Sequence, residues 1–143
     1  MKKEKLKVEQ EIGFPLYAAA KEALRACQPE LSELGITYTQ YLAMSVIWEY
    51  KEANLKMIGE RIYLDSGTLT PLLQKLEKKG LIIRERFKQD ERSMMITLTT
   101  KGKSLEKKVR HIPKLIETKL GLSQEELQLL QNVLWKVLHN VKG

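Results

Sequence analysis

Apolar residues recur at helical spacing along most of the chain and switch to a period of two in one stretch only. Over residues 8–27, Ile12, Leu16, Ala19, Ala20, Ala23 and Cys27 fall near a three-to-four spacing, which predicts a helix. Pro15 lacks an amide donor, so that helix is expected to start near Phe14 or to kink there. Pro29 and Gly35 bracket residues 30–34, a segment with room for one helical turn. Thr37 has the position and side chain of an N-cap for "YTQYLAMSVIWEYKE", in which Tyr41, Leu42, Met44, Ser45 and Trp48 crowd one side. Residues 54–63 form a shorter helix with Leu55, Ile58 and Ile62 in register, and a brief turn at residues 64 and 65 follows.

Residues 66–79 carry Leu69, Leu72, Leu73 and Leu76 at i, i+3, i+4 and i+7, one buried stripe of a helix. At about 100° per residue the opposite face holds Gly67, Pro71, Gln74 and Lys78, flanked by Thr70 and Lys75. The period then becomes two. "LIIRERF" puts Ile83 and Glu85 on one side and Arg84 and Arg86 on the other, and "SMMITLT" alternates as well. The polar "KQDER" between them predicts a β-hairpin with a charged tip. With Thr99 or Thr100 as cap, residues 101–119 return to helix, interrupted at Pro113. Ser123 and Glu126 form a capping-box pair ahead of a last helix in which Leu127, Leu130, Leu134, Val137 and Val141 recur at 3,4,3,4 spacing. That seam packs helix on helix. Within one chain of this size it is hard to close, which favours a homodimer.

Helix, helix, short turn, helix and hairpin is the order of a winged helix-turn-helix. The expected fold class is mainly α with a small β-hairpin wing (α+β), extended by terminal dimerisation helices. Residues 1–143 are read as a single domain, with 8–34 and 101–143 for dimerisation and 37–100 as the DNA-binding lobe. The slim, polar face of residues 66–79 then has a physical reason. Small residues such as Ser66 and Gly67 let a helix N-terminus sink into a major groove, where its amides and dipole favour phosphate. Thr70 and Gln74 suit base edges, with Thr68 reaching from the side. Lys75 and Lys78 suit phosphates. On the hairpin, Arg84, Arg86, Lys88 and Arg92 lie on or beside a tip placed to reach the adjacent minor groove. Asp90 is expected to orient Arg92, since a carboxylate facing phosphate repels it.

Composition narrows the partners. The chain has 143 residues, 43% hydrophobic and 30% charged, which is globular and not disordered. The net charge of +7 favours a polyanion, either nucleic acid or an anionic membrane surface. No apolar run approaches the ~20 residues of a membrane span. The N-terminus has no apolar core of a secretory signal. One cysteine, Cys27, excludes an intrachain disulfide and fits a reducing cytoplasm. Cys27, His111 and His139 are too scattered for a zinc site, and no metal or cofactor is implied. No Ser/His/Asp set, paired-carboxylate motif or phosphate loop suggests an enzyme. The alternative to a sequence-specific regulator is a basic architectural DNA-binding or membrane-surface protein without sequence preference.

"ITYTQYLAMSVIWE", "LDSGTLTPLLQKLEKKGLI" and "DERSMMITLTTKG" resemble the MarR family of bacterial winged-helix regulators over essentially the whole chain. "LYAA", "TYTQY" and "LDSGTLTPLL" together resemble its OhrR-type branch, which senses organic hydroperoxides. The resemblance implies a homodimer on a pseudo-palindromic double-stranded DNA operator, usually as a repressor released by an oxidant or small-molecule effector, and a DNA contact for Arg92. It also locates a departure. Gly13, in "IGFPLYAAAK", stands where the branch has its reactive cysteine. The attendant tyrosines match Tyr17 and Tyr38, and Cys27 stands at a third tyrosine position. Two readings follow: lost peroxide sensing, or transfer of the role to Cys27.

Overall fold

The structure, a computed structural model, describes residues 5–86 and 94–142. After a single 3-10 turn at Val8–Gln10, the described residues form seven α-helices and three strands in the order α1 (Gly13–Glu33), α2 (Tyr38–Tyr50), β1 (Glu52–Asn54), α3 (Leu55–Ile62), α4 (Ser66–Lys78), β2 (Ile82–Arg86), β3 (Met94–Leu98), α5 (Thr100–Val109), α6 (Ile112–Leu120) and α7 (Gln124–Lys142). The chain divides into two compact units, residues 28–110 and residues 1–27 with 111–143.

Three helix starts follow from side chains visible in the sequence. Thr37 and Gln40 cap α2 reciprocally, each side chain bonding the other's backbone amide. Thr99 accepts from the Gly102 amide to open α5. Ser123 and Glu126 form the same reciprocal box ahead of α7, and the hydrogen bond from the Ser123 amide lowers the pKa of the Glu126 carboxyl. Pro113 sits at the start of α6, where a missing amide donor leaves no bond unmade.

Two expectations need correction. Residues 30–34 are not a separate turn, because α1 runs through Pro29 to Glu33. Proline removes only the bond to the carbonyl of Arg25, and the full burial of Leu31 keeps the helix in place beyond it. The hairpin is present, β2 pairing with β3, but β1, not expected from the sequence, joins it as a third strand. β3 is the central strand of an antiparallel sheet ordered β1-β3-β2, with Ala53 opposite Ile96 on one side and Arg84 opposite Ile96 on the other.

The unit of residues 28–110 has a closed core in which Met44, Ile47, Ile58, Leu69, Leu73, Leu76, Ile82 and Ile96 are fully buried. α5 is held against it closely. A Cβ on Gly102 would overlap the Leu81 carbonyl oxygen, and the Trp48 indole donates to the Gly102 carbonyl at 2.9 Å. In the other unit, α7 buries none of its residues, and Leu129, Val133, Leu134, Trp135, Val137 and Val141 are exposed. Ile12, Phe14, Leu16 and Tyr17 at the start of the chain are exposed too.

Candidate nucleic-acid interface

The two helices on either side of the central turn are set by short-range chemistry. Asn54 opens α3 by accepting from the Met57 amide at 2.8 Å. A Cβ on Gly59 would lie 2.7 Å from the Leu64 carbonyl oxygen, so only glycine lets the turn close this tightly. Tyr63 ends α3 with a left-handed φ of 58°, a conformation that costs a non-glycine residue about 1–2 kcal/mol. Asp65 then caps α4, its carboxylate accepting from the Thr68 amide at 2.8 Å. That amide is therefore already used at the helix N-terminus.

α4 separates its faces as its sequence predicts. Leu69, Leu72, Leu73 and Leu76 are buried. Ser66, Gly67, Thr68, Pro71, Gln74, Lys75 and Lys78 are exposed, and Thr70 is half-buried. Pro71 sits inside the helix and removes the amide that would bond the Gly67 carbonyl. The lysine run does two different things. Lys75 and Lys78 stand in solvent, whereas the Lys79 ammonium donates to the Gly35 carbonyl at 2.7 Å and to Gln40 Oε1 at 2.8 Å. Lys79 is itself exposed, and partial desolvation of its ammonium, with Lys75 nearby, lowers its pKa. Lys79 thus ties the end of α4 to the capping box of α2.

Between α4 and the strands lies a groove of about 360 Å³, lined by Thr70, Gln74, Glu77, Arg84, Arg86 and Met94 among others. The alternation on β2 is as expected, and its inward face carries Ile82 and Arg84, while Ile83 is turned out. Arg84 Nη2 bonds Glu77 Oε1 at 2.9 Å, and that bond holds the Glu77 carboxyl below the usual carboxylate range. Glu77 is the groove residue that sequence reasoning missed. Its only signal was an acidic side chain on the flank of an otherwise basic helix. Arg86 is exposed on the same strand face. Lys88, Asp90 and Arg92 lie outside the described residues.

The residues singled out for sensing are distributed over both units. Gly13 is the first residue of α1, and a Cβ there would meet nothing within 4 Å. Tyr17 is exposed, with the Lys21 ammonium 5.8 Å from its ring centre. Cys27 is fully buried. Tyr38 begins α2, its ring 5.7 Å from that of Tyr41. Among the described residues there is no group of three or more His, Cys, Asp or Glu placed to hold a metal ion, and no helix long and apolar enough to cross a membrane.

Residues 25–109 match the family model of the transcriptional regulators SarA/Rot. The chain is 43% identical over 139 residues to the organic hydroperoxide resistance transcriptional regulator of Bacillus subtilis (strain 168), covering 95% of this chain and 92% of the relative. It is 41% identical over 123 residues to the HTH-type transcriptional regulator SarZ of Staphylococcus epidermidis, covering 86% and 83%. Among solved structures, reduced AbfR bound to DNA superposes with a TM-score of 0.76 at 30% identity over 95% of each chain, and AbfR is a protein of Staphylococcus epidermidis. A closed helical lobe with a three-stranded antiparallel sheet, a sharply turned helix pair and this degree of identity over nearly the full length agree: the chain belongs to the MarR-like winged-helix family of transcriptional regulators.

Proposed function

We propose that the chain is a sequence-specific DNA-binding transcriptional repressor that acts as a homodimer on a pseudo-palindromic operator and is not an enzyme. The observation that carries the reading is α4, with four leucines buried and a slim polar face open to solvent. On this reading α4 lies in the major groove. Ser66, Gly67 and Pro71 allow close approach, Thr70 and Gln74 read base edges with Thr68 at the side, and Lys75 and Lys78 meet phosphates. Arg86, with the basic residues Lys88 and Arg92 that follow it in sequence, supplies the charge for a second contact in the neighbouring minor groove. The exposed apolar residues of α1 and α7 support dimerisation through the terminal helices. Each protomer then presents one α4 to one half-site, and the two-fold axis of the dimer imposes the symmetry of the operator. A regulator of this kind works in the cytoplasm.

The inducing signal is read from Gly13 and Cys27. Glycine carries no oxidisable group, so the thiol switch of the branch this chain resembles is absent at Gly13. A reactive cysteine needs an accessible thiolate, and the Cys27 side chain is fully buried, which supports an inert thiol and a regulator that answers to another ligand or to no oxidant at all. Titration of labelled operator against a scrambled duplex of equal length tests the function. Preference for the operator, with affinity falling steeply as salt rises, is the expected result. Equal affinity for both duplexes would favour a non-specific architectural protein. Adding an organic hydroperoxide to the complex tests the signal: the complex should survive, whereas release by wild type and not by Cys27→Ser would assign sensing to Cys27.

A further inference from the structure

We propose that Glu77 and Arg84 form a brace between α4 and the base of the wing, so that both position the DNA-binding surface and Arg84 does not itself hold a phosphate. The inference rests on the reading of α4 and the hairpin as the DNA-binding elements. A guanidinium kept for phosphate stands in the open with its donors available. Arg84 does not. Its side chain is 19% exposed, its Nη2 bonds Glu77 Oε1 at 2.9 Å, and its Nη1 lies 4.0 Å from Met94 Sδ on the neighbouring strand. Its Nε is buried with no acceptor, so turning the group outward would require the surrounding packing to open.

The carboxylate is equally informative. Glu77 lies one helical turn beyond Gln74 on the face that lines the groove, with its side chain 40% exposed. A lone negative charge there repels DNA, so its presence needs a compensating role. Paired with Arg84 it closes a loop from the last turn of α4 through Gly80 to β2. That loop sets the angle at which β2, Arg86 two residues further on and the wing leave the helix. A charge-assisted bond at this distance is directional, and so suited to fixing an angle.

The two roles give opposite signs for Glu77. If Arg84 is a phosphate contact, Glu77→Ala frees it and tightens binding, while Arg84→Met lowers the salt slope of log K by about one. As a brace, Glu77→Ala and Arg84→Met each weaken operator binding about 5- to 20-fold, the double variant is no weaker than the weaker single, and the salt slope stays at the wild-type value. Arg84→Met keeps the bulk of the side chain, so a folding defect is not built into the test. Amide hydrogen exchange of residues 83–86 in the DNA-free protein should rise in both single variants. Any other combination in the binding data overturns the brace. Wild type that binds no duplex would overturn the proposed function instead, and exchange of β2 unchanged by Glu77→Ala would then overturn the brace independently.

Discussion

α2 and α7 are both opened by a reciprocal capping box, yet α2 is apolar nearly all round while α7 is amphipathic, and they end in different surroundings. Over 13 residues α2 buries Gln40, Ala43, Met44, Val46 and Ile47, whereas α7, over 19 residues, buries none. Capping is alike, so the difference lies in composition, with Glu49 the one charged residue of α2 against Glu125, Glu126, Lys136 and Lys142 in α7, and in what packs against each. α2 meets α3, α4 and β1 within the unit of residues 28–110, and the core there closes on itself. The unit of residues 1–27 and 111–143 leaves Val133, Leu134, Trp135 and Val137 open, together with Ile12, Phe14 and Leu16. Exposed large apolar residues clustered along one helix, as on α7, are the kind of surface that marks an interaction site. One unit is thus closed in a single copy, and the other leaves apolar residues open that the proposed homodimer would cover.

The largest effect expected from this contrast is at the closed core. Ile47→Ala removes a fully buried side chain and should cost about 2–5 kcal/mol in urea unfolding at fixed protein concentration. A cost below 1 kcal/mol would mean that the lobe is not the self-sufficient unit described. Leu134→Asp attacks the open face. It should weaken dimerisation at least about 100-fold, equal to about 2.8 kcal/mol, by sedimentation, and leave the helical circular dichroism of the chain intact. An unchanged sedimentation coefficient would remove the face from the interface. Gln74→Ala tests the exposed side of α4 and should cost about 1–3 kcal/mol at one base position, seen as relaxed preference there and not as uniform weakening. Thr37→Ala, which removes one half of the α2 capping box, should cost about 1 kcal/mol of stability and leave DNA preference untouched.

Much of the lobe was legible because its signals are local. The leucine stripe of α4, the caps at Thr37 and Thr99, and the alternation of β2 and β3 each depend on residues a few positions apart, as does the cap at Ser123 in the other unit. The misread features depend on partners distant in sequence. β1 spans only Glu52–Asn54, too short for any periodicity, and exists because β3 pairs with it. Pro29 suggested a break, but one lost hydrogen bond is outweighed by the burial of neighbouring Leu31. In the candidate interface the exposed face of α4 was readable, while the pairing of Arg84 with Glu77 was not. Alternation placed Arg84 with Arg86 on one strand face without telling which face turns inward. Lys79, one more lysine in a run, is distinguished from Lys75 and Lys78 only by the carbonyl of Gly35 and the side chain of Gln40, which the fold brings to it.

Selection of bound duplexes from random DNA by the wild-type protein tests the central claim most directly, because it reads specificity and symmetry together. A homodimer presenting two copies of α4 should enrich one motif of two inverted half-sites, centred about 10 base pairs or a multiple of that apart. A single asymmetric site would contradict the dimeric arrangement, and no enrichment over input would contradict sequence-specific regulation altogether.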